Sequence, residues 1–547
     1  MTKTFLLAIA LASAPVACSP SYIDGGYDLA DGGGGRGTGG GGAGGARLCV
    51  PSATASCYDG PAGTDGVGSC KAGAHTCAAD GMSWGACTGE VLPQPANCAS
   101  GMDLHCDGQV PSCTGKLLWA KRFGDASDQV ATAVAGDPSG NVLATGYFSG
   151  SVDFGNGLPL VATAGPNAFV AKLDGSSGGC VWAQGYGTGA ALGVAVDSSG
   201  NVLVTGHFSG SADFGGGPVT STGKTDAFVV VLDPNGGYLW SSHFGALGAS
   251  ASGTGIAVDA SGNAFVTGYF SGSVDFGTGP IVSTGMRDVF LVELSHSGAL
   301  TWAKHYGQSE QSPLSQGVTV DPTGSVLVTG YFSGSIAFGG APLTSTGESD
   351  VFVFKLGSDG GYAWSERFGA PGALSDGRSV ATDSLGNPIV TGGFSGPVDF
   401  GGGPLAASGA GDTFLVKLSA ASSGYAWSTH FGDGSAFDST TAGAVAFDAA
   451  GNVLVGGDFT GAVKFGGPPA FSSGEQDVFL AKLRPDGSAV WSETFGDPSS
   501  TQAVGGVATD ASNNVLVTGY FSGSIDFGGG ALTSAGGDDI FVAKLSP

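Results

Sequence analysis

Seven tryptophans, Trp119, Trp182, Trp240, Trp302, Trp364, Trp427 and Trp491, stand 63, 58, 62, 62, 63 and 64 residues apart. A period of this length confines the chain to repeat architectures, in which each copy buries its apolar face against the next. Every copy reads alike: a Trp strand, a variable loop, a short apolar strand such as "GVAVD", a turn such as "SSGN", and a strand "VLVTG". The dodecamer "VTGYFSGSVDFG" (266–277 in the third copy) overlaps that strand, and a last strand such as "DAFVVVL" leads through "DPNGG" to the next Trp. Apolar alternation with period 2 and β-branched enrichment mark the strands, and the Asp/Asn/Gly punctuation marks two hairpins per copy. Four strands at this period are the signature of propeller blades. The expected fold is all-β, a seven-bladed β-propeller over 115–547 with a small disulfide-rich module before it.

The termini of the array carry a closure argument. The chain starts with a Trp strand and stops at "DIFVAKLSP" without one. The Trp119 strand is therefore expected to complete the blade begun by residues 503 to 546, which leaves no open edge.

Glycine makes up 104 of 547 residues, yet there is no G-X-Y period and apolar side chains are plentiful, so a collagen-like or disordered chain is excluded. The net charge of -26 repels phosphate backbones and argues against nucleic acid as a partner. Residues 1–17 read as a lipoprotein-type signal peptide, with a positive start, an apolar run from Phe5 to Ala12 and small residues before Cys18. Cys18 is the expected lipidation site, so the expected partner at this end is a membrane reached through an N-terminal lipid, and Pro15 departs from the usual Leu of that motif. Residues 18–47 form a Gly-rich tether with almost no side chains to pack. Residues 48–114 hold eight cysteines, Cys49, Cys57, Cys70, Cys77, Cys87, Cys98, Cys106 and Cys113, an even count that in a secreted context implies up to four disulfides in one of 105 pairings. No two are closer than seven residues, which disfavours zinc.

The repeat resembles the bacterial beta-propeller repeat (SBBP) family in four elements: W-x-x-x-[FY]-G ("WSSHFG"), the D-x-x-G-N turn with its V-x-V-T-G strand, D-F-G, and D-x-F-x-x-K-L ("DVFLAKL"). The segment "CYDGPAGTDGVGSCKAGAHTCAADGMSWGACTGE" resembles a Cys-rich module of secreted lipoproteins of Gram-negative bacteria. These resemblances imply a propeller held on the outer membrane as a lipoprotein or released outside the cell, and they imply no common activity.

Most polar residues of the repeat have scaffold explanations. Asp137, Asp197, Asp259, Asp321, Asp383, Asp448 and Asp510 start the turn in all seven copies, where a carboxylate accepts backbone N–H groups. A calcium reading of these turns is carried as an alternative, although each supplies a single carboxylate. The Asp that opens each Phe strand and the Lys that ends it fall on opposite faces by parity and are not expected to pair. His243, His305 and His430, three residues after Trp, belong to the strand expected outermost, roughly 14 Å beyond the first at about 4.8 Å per strand. They are expected as edge residues, too far apart to share an ion. "GSSGG" (175–179) satisfies G-x-S-x-G but sits in a hairpin turn, and Cys180 replaces a Tyr two residues before Trp. No catalytic residue, resident metal or cofactor is assigned.

Function should break the sevenfold repetition. The position after "VTG" does so: Tyr147, His207, Tyr269, Tyr331, Gly393, Asp458 and Tyr520. Tyr147, His207, Tyr269, Tyr331, Asp458 and Tyr520 are the candidate ligand-binding column, since such rings suit a sugar face or a protein segment. A glycan or protein ligand is expected for a non-enzymatic binding, adhesion or structural scaffold. The alternatives are an extracellular polysaccharide- or protein-degrading enzyme, which needs two carboxyl groups of unequal pKa, and a calcium-dependent adhesion module.

Overall fold

The computed structural model describes residues 49–58, 65–67, 70–92, 115–308, 311–407, 411–432, 440–465, 469–498 and 500–547. It divides into two units, Met1–Pro111 and Ser112–Pro547. The signal and tether segments, Cys18, Cys98, Cys106 and Cys113 lie outside the described residues.

In the first unit Thr54–Cys57 pairs antiparallel with Gly73–Thr76. Disulfides Cys49–Cys77 and Cys57–Cys87 cross this hairpin, and Cys70 is also disulfide-bonded. His75 stacks on Trp84 at 4.2 Å. Sulfur bonds do the work that an apolar core does in larger units.

The second unit is an all-β propeller with no helix among the described residues. Five four-stranded sheets stand separately, and a seven-stranded sheet holds two further four-strand units that share the 17-residue strand Cys180–Val196. Each unit is a blade, numbered here by chain order, and the strand that precedes the D-x-x-G-N turn is innermost, packed against its counterparts in the neighbouring blades. Blade 3 is representative: Ser250–Val258, Ala264–Ser271, Asp288–Leu294 and Leu300–Tyr306, in that order from the axis outward. In the last blade the outermost strand is Leu117–Phe123, paired antiparallel with Asp539–Leu545. Ser546 reinforces the seam by donating its N–H to the Lys116 carbonyl at 2.7 Å.

The strands do not alternate between a wet and a dry face. Asp288–Leu294 is buried at all seven positions, as is its counterpart in every blade. Both faces of a blade pack on neighbouring blades, so a core cluster such as Leu203, Val229, Val266, Phe270 and Phe290 draws on two of them. Thr267 is buried because its Oγ1 donates to the Phe290 carbonyl at 3.0 Å. Gly268 is required by close approach: a Cβ there would lie 2.0 Å from the Ser252 carbonyl and 2.7 Å from the Phe290 ring. Phe276 packs 5.0 Å from Phe290 and 5.3 Å from Phe244, and Asp275 folds the following turn by accepting the Gly277 N–H at 2.7 Å.

Candidate functional site

Each blade has two polar ends. At the turn end, Asp137 is typical: its Oδ1 accepts the N–H of Ser139 and Asn141, and its Oδ2 accepts Asn141 Nδ2. Its Oδ2 also binds Lys172 Nζ at 2.8 Å. Lys355–Asp321, Lys417–Asp383, Lys482–Asp448 and Lys544–Asp510 repeat this pair at 2.7 to 3.0 Å. The lysines expected to stay apart from the Asp on their own strand do so, and they close this network instead. The lysine hydrogen bond, after the cost of burial, holds the Asp137 carboxyl below its ordinary value.

In five blades the strand-opening Asp has a side-chain partner on the outermost strand. His243, His305 and His430 place Nδ1 3.0, 3.0 and 2.8 Å from Asp226, Asp288 and Asp412, and Arg122 and Arg367 bind Asp539 and Asp350. The histidines are therefore edge residues that also anchor buried carboxylates, a role that parity alone did not assign. In blade 1 Asn167 replaces the Asp and Gly185 its partner, and in blade 6 Thr494 stands at the partner's position.

At the other end, which we call the rim, the candidate column occupies the sixth position of each second strand. Tyr147, His207, Tyr269, Tyr331, Asp458 and Tyr520 are all half-buried there. The innermost strand carries a β-bulge at one place in every blade, which leaves Thr132, Leu192, Thr254, Gln316, Arg378, Gly443 and Gly505 as the extra residues. A bulge re-aims a side chain and sharpens the local twist. Thr132 and Thr254 reach the next blade, donating to the carbonyls of Ala191 and Ser315 at 2.7 and 2.9 Å.

The rim is electrostatically lopsided. Arg287 lies 4.8 Å over the Tyr269 ring, and Arg378 Nε binds Asp376 Oδ2 at 2.8 Å. Both arginines act on the Tyr331 phenol, whose pKa is nevertheless raised, by burial first and then by Asp376. In blade 5, where the column has Gly393, the Asp376 carboxylate takes the space and accepts the Gly393 N–H at 2.8 Å. The opposite arc is acidic: burial, then Asp458 and Asp538, raises the Tyr520 phenol, and burial, then Asp538 and Asp128, raises Tyr147. Burial pushes the Asp458 carboxyl up to about 6 against the pull of its Gln476 hydrogen bond and of Arg378. His207 is held neutral more strongly than a free imidazole by burial, with Nδ1 3.2 Å from Ser252 Oγ.

A cavity of about 610 Å³ opens on the rim, lined by Gln316, Tyr331, Asp376, Arg378, Gly393 and Thr440 among others. Sequence reasoning singled out Tyr331 and Asp458 through the broken column, and Tyr331 lines this cavity. It missed Arg378 and Asp376, whose only signal is that they are charged where other copies are neutral, and Arg287, whose position is otherwise neutral except for Asp538 in blade 7. Cys180, with its thiol pKa raised by burial and then Asp153, lies outside this cavity.

Residues 239–269 match the family model of the beta-propeller repeat (SBBP). The chain is 22% identical over 514 residues to the uncharacterized WD repeat-containing protein L264 of Acanthamoeba polyphaga mimivirus, covering 75% of this chain and 36% of that protein, about a third of its length. Among solved structures, the beta-propeller domain of Myceliophteria thermophila Cps50 (Swd1) is 10% identical over 79% of this chain and 99% of its own, with a TM-score of 0.40. The quinohemoprotein alcohol dehydrogenase from Comamonas testosteroni is 12% identical over 79% and 78%, with a TM-score of 0.38.

Proposed function

We propose that this protein is a non-enzymatic, extracellular binding propeller that recognises an acidic glycan at its rim, held at a bacterial surface by a lipid on Cys18. The observation that carries the reading is the concentration of symmetry-breaking residues at one end of the blades. A scaffold role predicts equivalent residues in equivalent blades, and the turn end keeps them in five blades while the rim does not. The rim offers what a glycan needs: half-buried aromatic rings for sugar faces, two arginines for carboxylate groups, and acids and amides for hydroxyl groups. Arg378 gives part of its charge to Asp376 yet stays 37% exposed at its side chain, so a ligand carboxylate reaches it.

A second reading has one observation in its favour. Asp458, whose carboxyl burial raises to about 6, is the kind of acid that an enzyme acting on extracellular polymer requires. A glycan array probed with the full chain, with and without EDTA, separates the readings. Binding to uronic-acid or other anionic glycans without new products supports recognition, and the Tyr331→Ala and Arg378→Ala variants then lose binding about tenfold or more while unfolding at the wild-type temperature. Release of shortened glycan moves the assignment to an enzyme, and loss of binding in EDTA moves it to a metal-dependent adhesion module.

A further inference from the structure

The lysine that closes the turn-end network in five blades is replaced in the other two. Blade 2 has Val231 at that position and blade 3 has Glu293. In blades 1, 4 and 7 the lysine ammonium sits between the turn Asp and a backbone carbonyl of the following blade, Pro234, Ala420 and Gly175, at 2.8 to 3.1 Å. The position is therefore built to hold a positive charge among oxygens. Blade 3 keeps the oxygens and loses the ammonium.

Asp259 keeps its turn bonds there, accepting the N–H of Ser261 and Asn263 and the Asn263 side-chain amide, each at 2.8 Å. Glu293 is only 6% exposed, and its Oε2 has no hydrogen-bond partner. The Trp302 indole Nε1 faces the same carboxyl without closing a bond. Glu293 stands at the strand position from which a lysine reaches the turn Asp in the five other blades, and burial first, with the Asp259 charge adding to it against the pull of Trp302, raises its carboxyl above the usual range. Lys304, 5.7 Å from the Trp302 ring, makes no ion pair with either one among the described residues.

Asp259 lines a cavity of about 590 Å³ together with Ser358, Asp321 and Asp383. The last two are neutralised by Lys355 and Lys417. Ser358 stands in its hairpin where Pro234 and Ala420 stand in theirs, so its carbonyl is the counterpart of those that hold the lysines. The Asp259 carboxylate on this water-accessible cavity, the buried Glu293 carboxyl and a carbonyl make up the donor set of a hard cation, and two carboxylates favour a divalent over a monovalent one.

We infer that blade 3 binds a divalent cation of the calcium type through Asp259, Glu293 and the Ser358 carbonyl, in the place that a lysine ammonium fills in five other blades. This site lies at the turn end and does not depend on the glycan reading of the rim.

The test uses the full chain and terbium(III), whose emission is sensitised by excitation of a nearby tryptophan, here Trp302, with calcium as competitor and melting temperature as a second readout. Calcium raises the wild-type melting temperature and displaces the sensitised terbium. Glu293→Lys, which restores the arrangement of the five other blades, is more stable than the wild type in chelator, gains nothing from calcium and loses the emission. Glu293→Gln keeps the shape, weakens calcium about tenfold or more, and carries the test where the lysine variant fails to fold. Equal terbium emission and equal calcium response in the wild type and Glu293→Gln overturn the site. A melting temperature that responds to methylammonium and not to calcium overturns the metal and identifies an ammonium site. No response to either shows a Glu293 that merely holds a proton, and it also overturns the proposal.

Discussion

The two ends of each blade obey different rules. At the turn end five blades repeat one network, in which an Asp carboxylate ties together two backbone N–H groups, an amide and a lysine or, in one case, its hydroxyl counterparts. At the rim the equivalent position is Tyr, His, Gly or Asp, and the bulge residue beside it is Thr, Leu, Gln, Arg or Gly. The difference follows from what each end must satisfy. Buried charge and turn backbone demand partners of fixed type and reach, whereas half-exposed rim side chains only need to fit. Selection for a ligand is free to act at the second end, and an unpaired turn-end carboxylate such as Glu293 is correspondingly informative.

The comparison breaks hardest at the turn end. Lys482→Ala strands Asp448, whose side chain is 3% exposed, and is expected to cost about 3 to 5 kcal/mol; urea unfolding of the variant measures it, and a loss no larger than that of a surface lysine removes the distinction between the ends. Gly268→Ala probes the strand between the two ends. Its Cβ meets the Ser252 carbonyl and the Phe290 ring, and the expected loss is about 1 to 3 kcal/mol, read from the same unfolding curves.

The smallest effect belongs to the rim and is sharpened by pH. The Asp458 carboxyl is raised from 3.8 to about 6 in the folded protein. The folded state thus holds the proton more tightly than the unfolded one, so its contribution is complete below pH 3.8 and is lost as pH rises through about 6. Asp458→Asn is expected to remove that slope and, after allowance for partial solvent access, to gain about 1 kcal/mol at neutral pH. Melting temperatures across this range test it, and a variant whose profile parallels the wild type contradicts the buried acid.

Much of the scaffold was legible in order along the chain. Trp spacing, strand alternation and the Asp-to-Asn turns are local, since each is decided by residues within one hairpin. The Trp119 strand pairing with Asp539–Leu545 was also legible, because counting strands at the two ends leaves a single way to close the sheet. The candidate column was found as a column, but its chemistry was not. Asp376 meets Gly393 and Arg378 acts on Asp458 across blades only because the innermost strand slips register at the bulge between Gly377 and Ser379. The histidine anchors were hidden for a similar reason: His243 is paired with Phe228 in register, and its ring reaches two residues along to Asp226.

The sequence by itself determined the repeating unit, its strands, its turns and which residues vary between copies, because hydrogen bonds of turns and the two-residue period of strands depend on near neighbours. Only the tertiary structure decided which varied residues meet. Closing the sheets into a ring brings Asp458, Tyr520, Asp538 and Tyr147 to one arc and Arg287 and Arg378 to another. Those encounters join residues from different strands and blades, and they are set by how the blades pack.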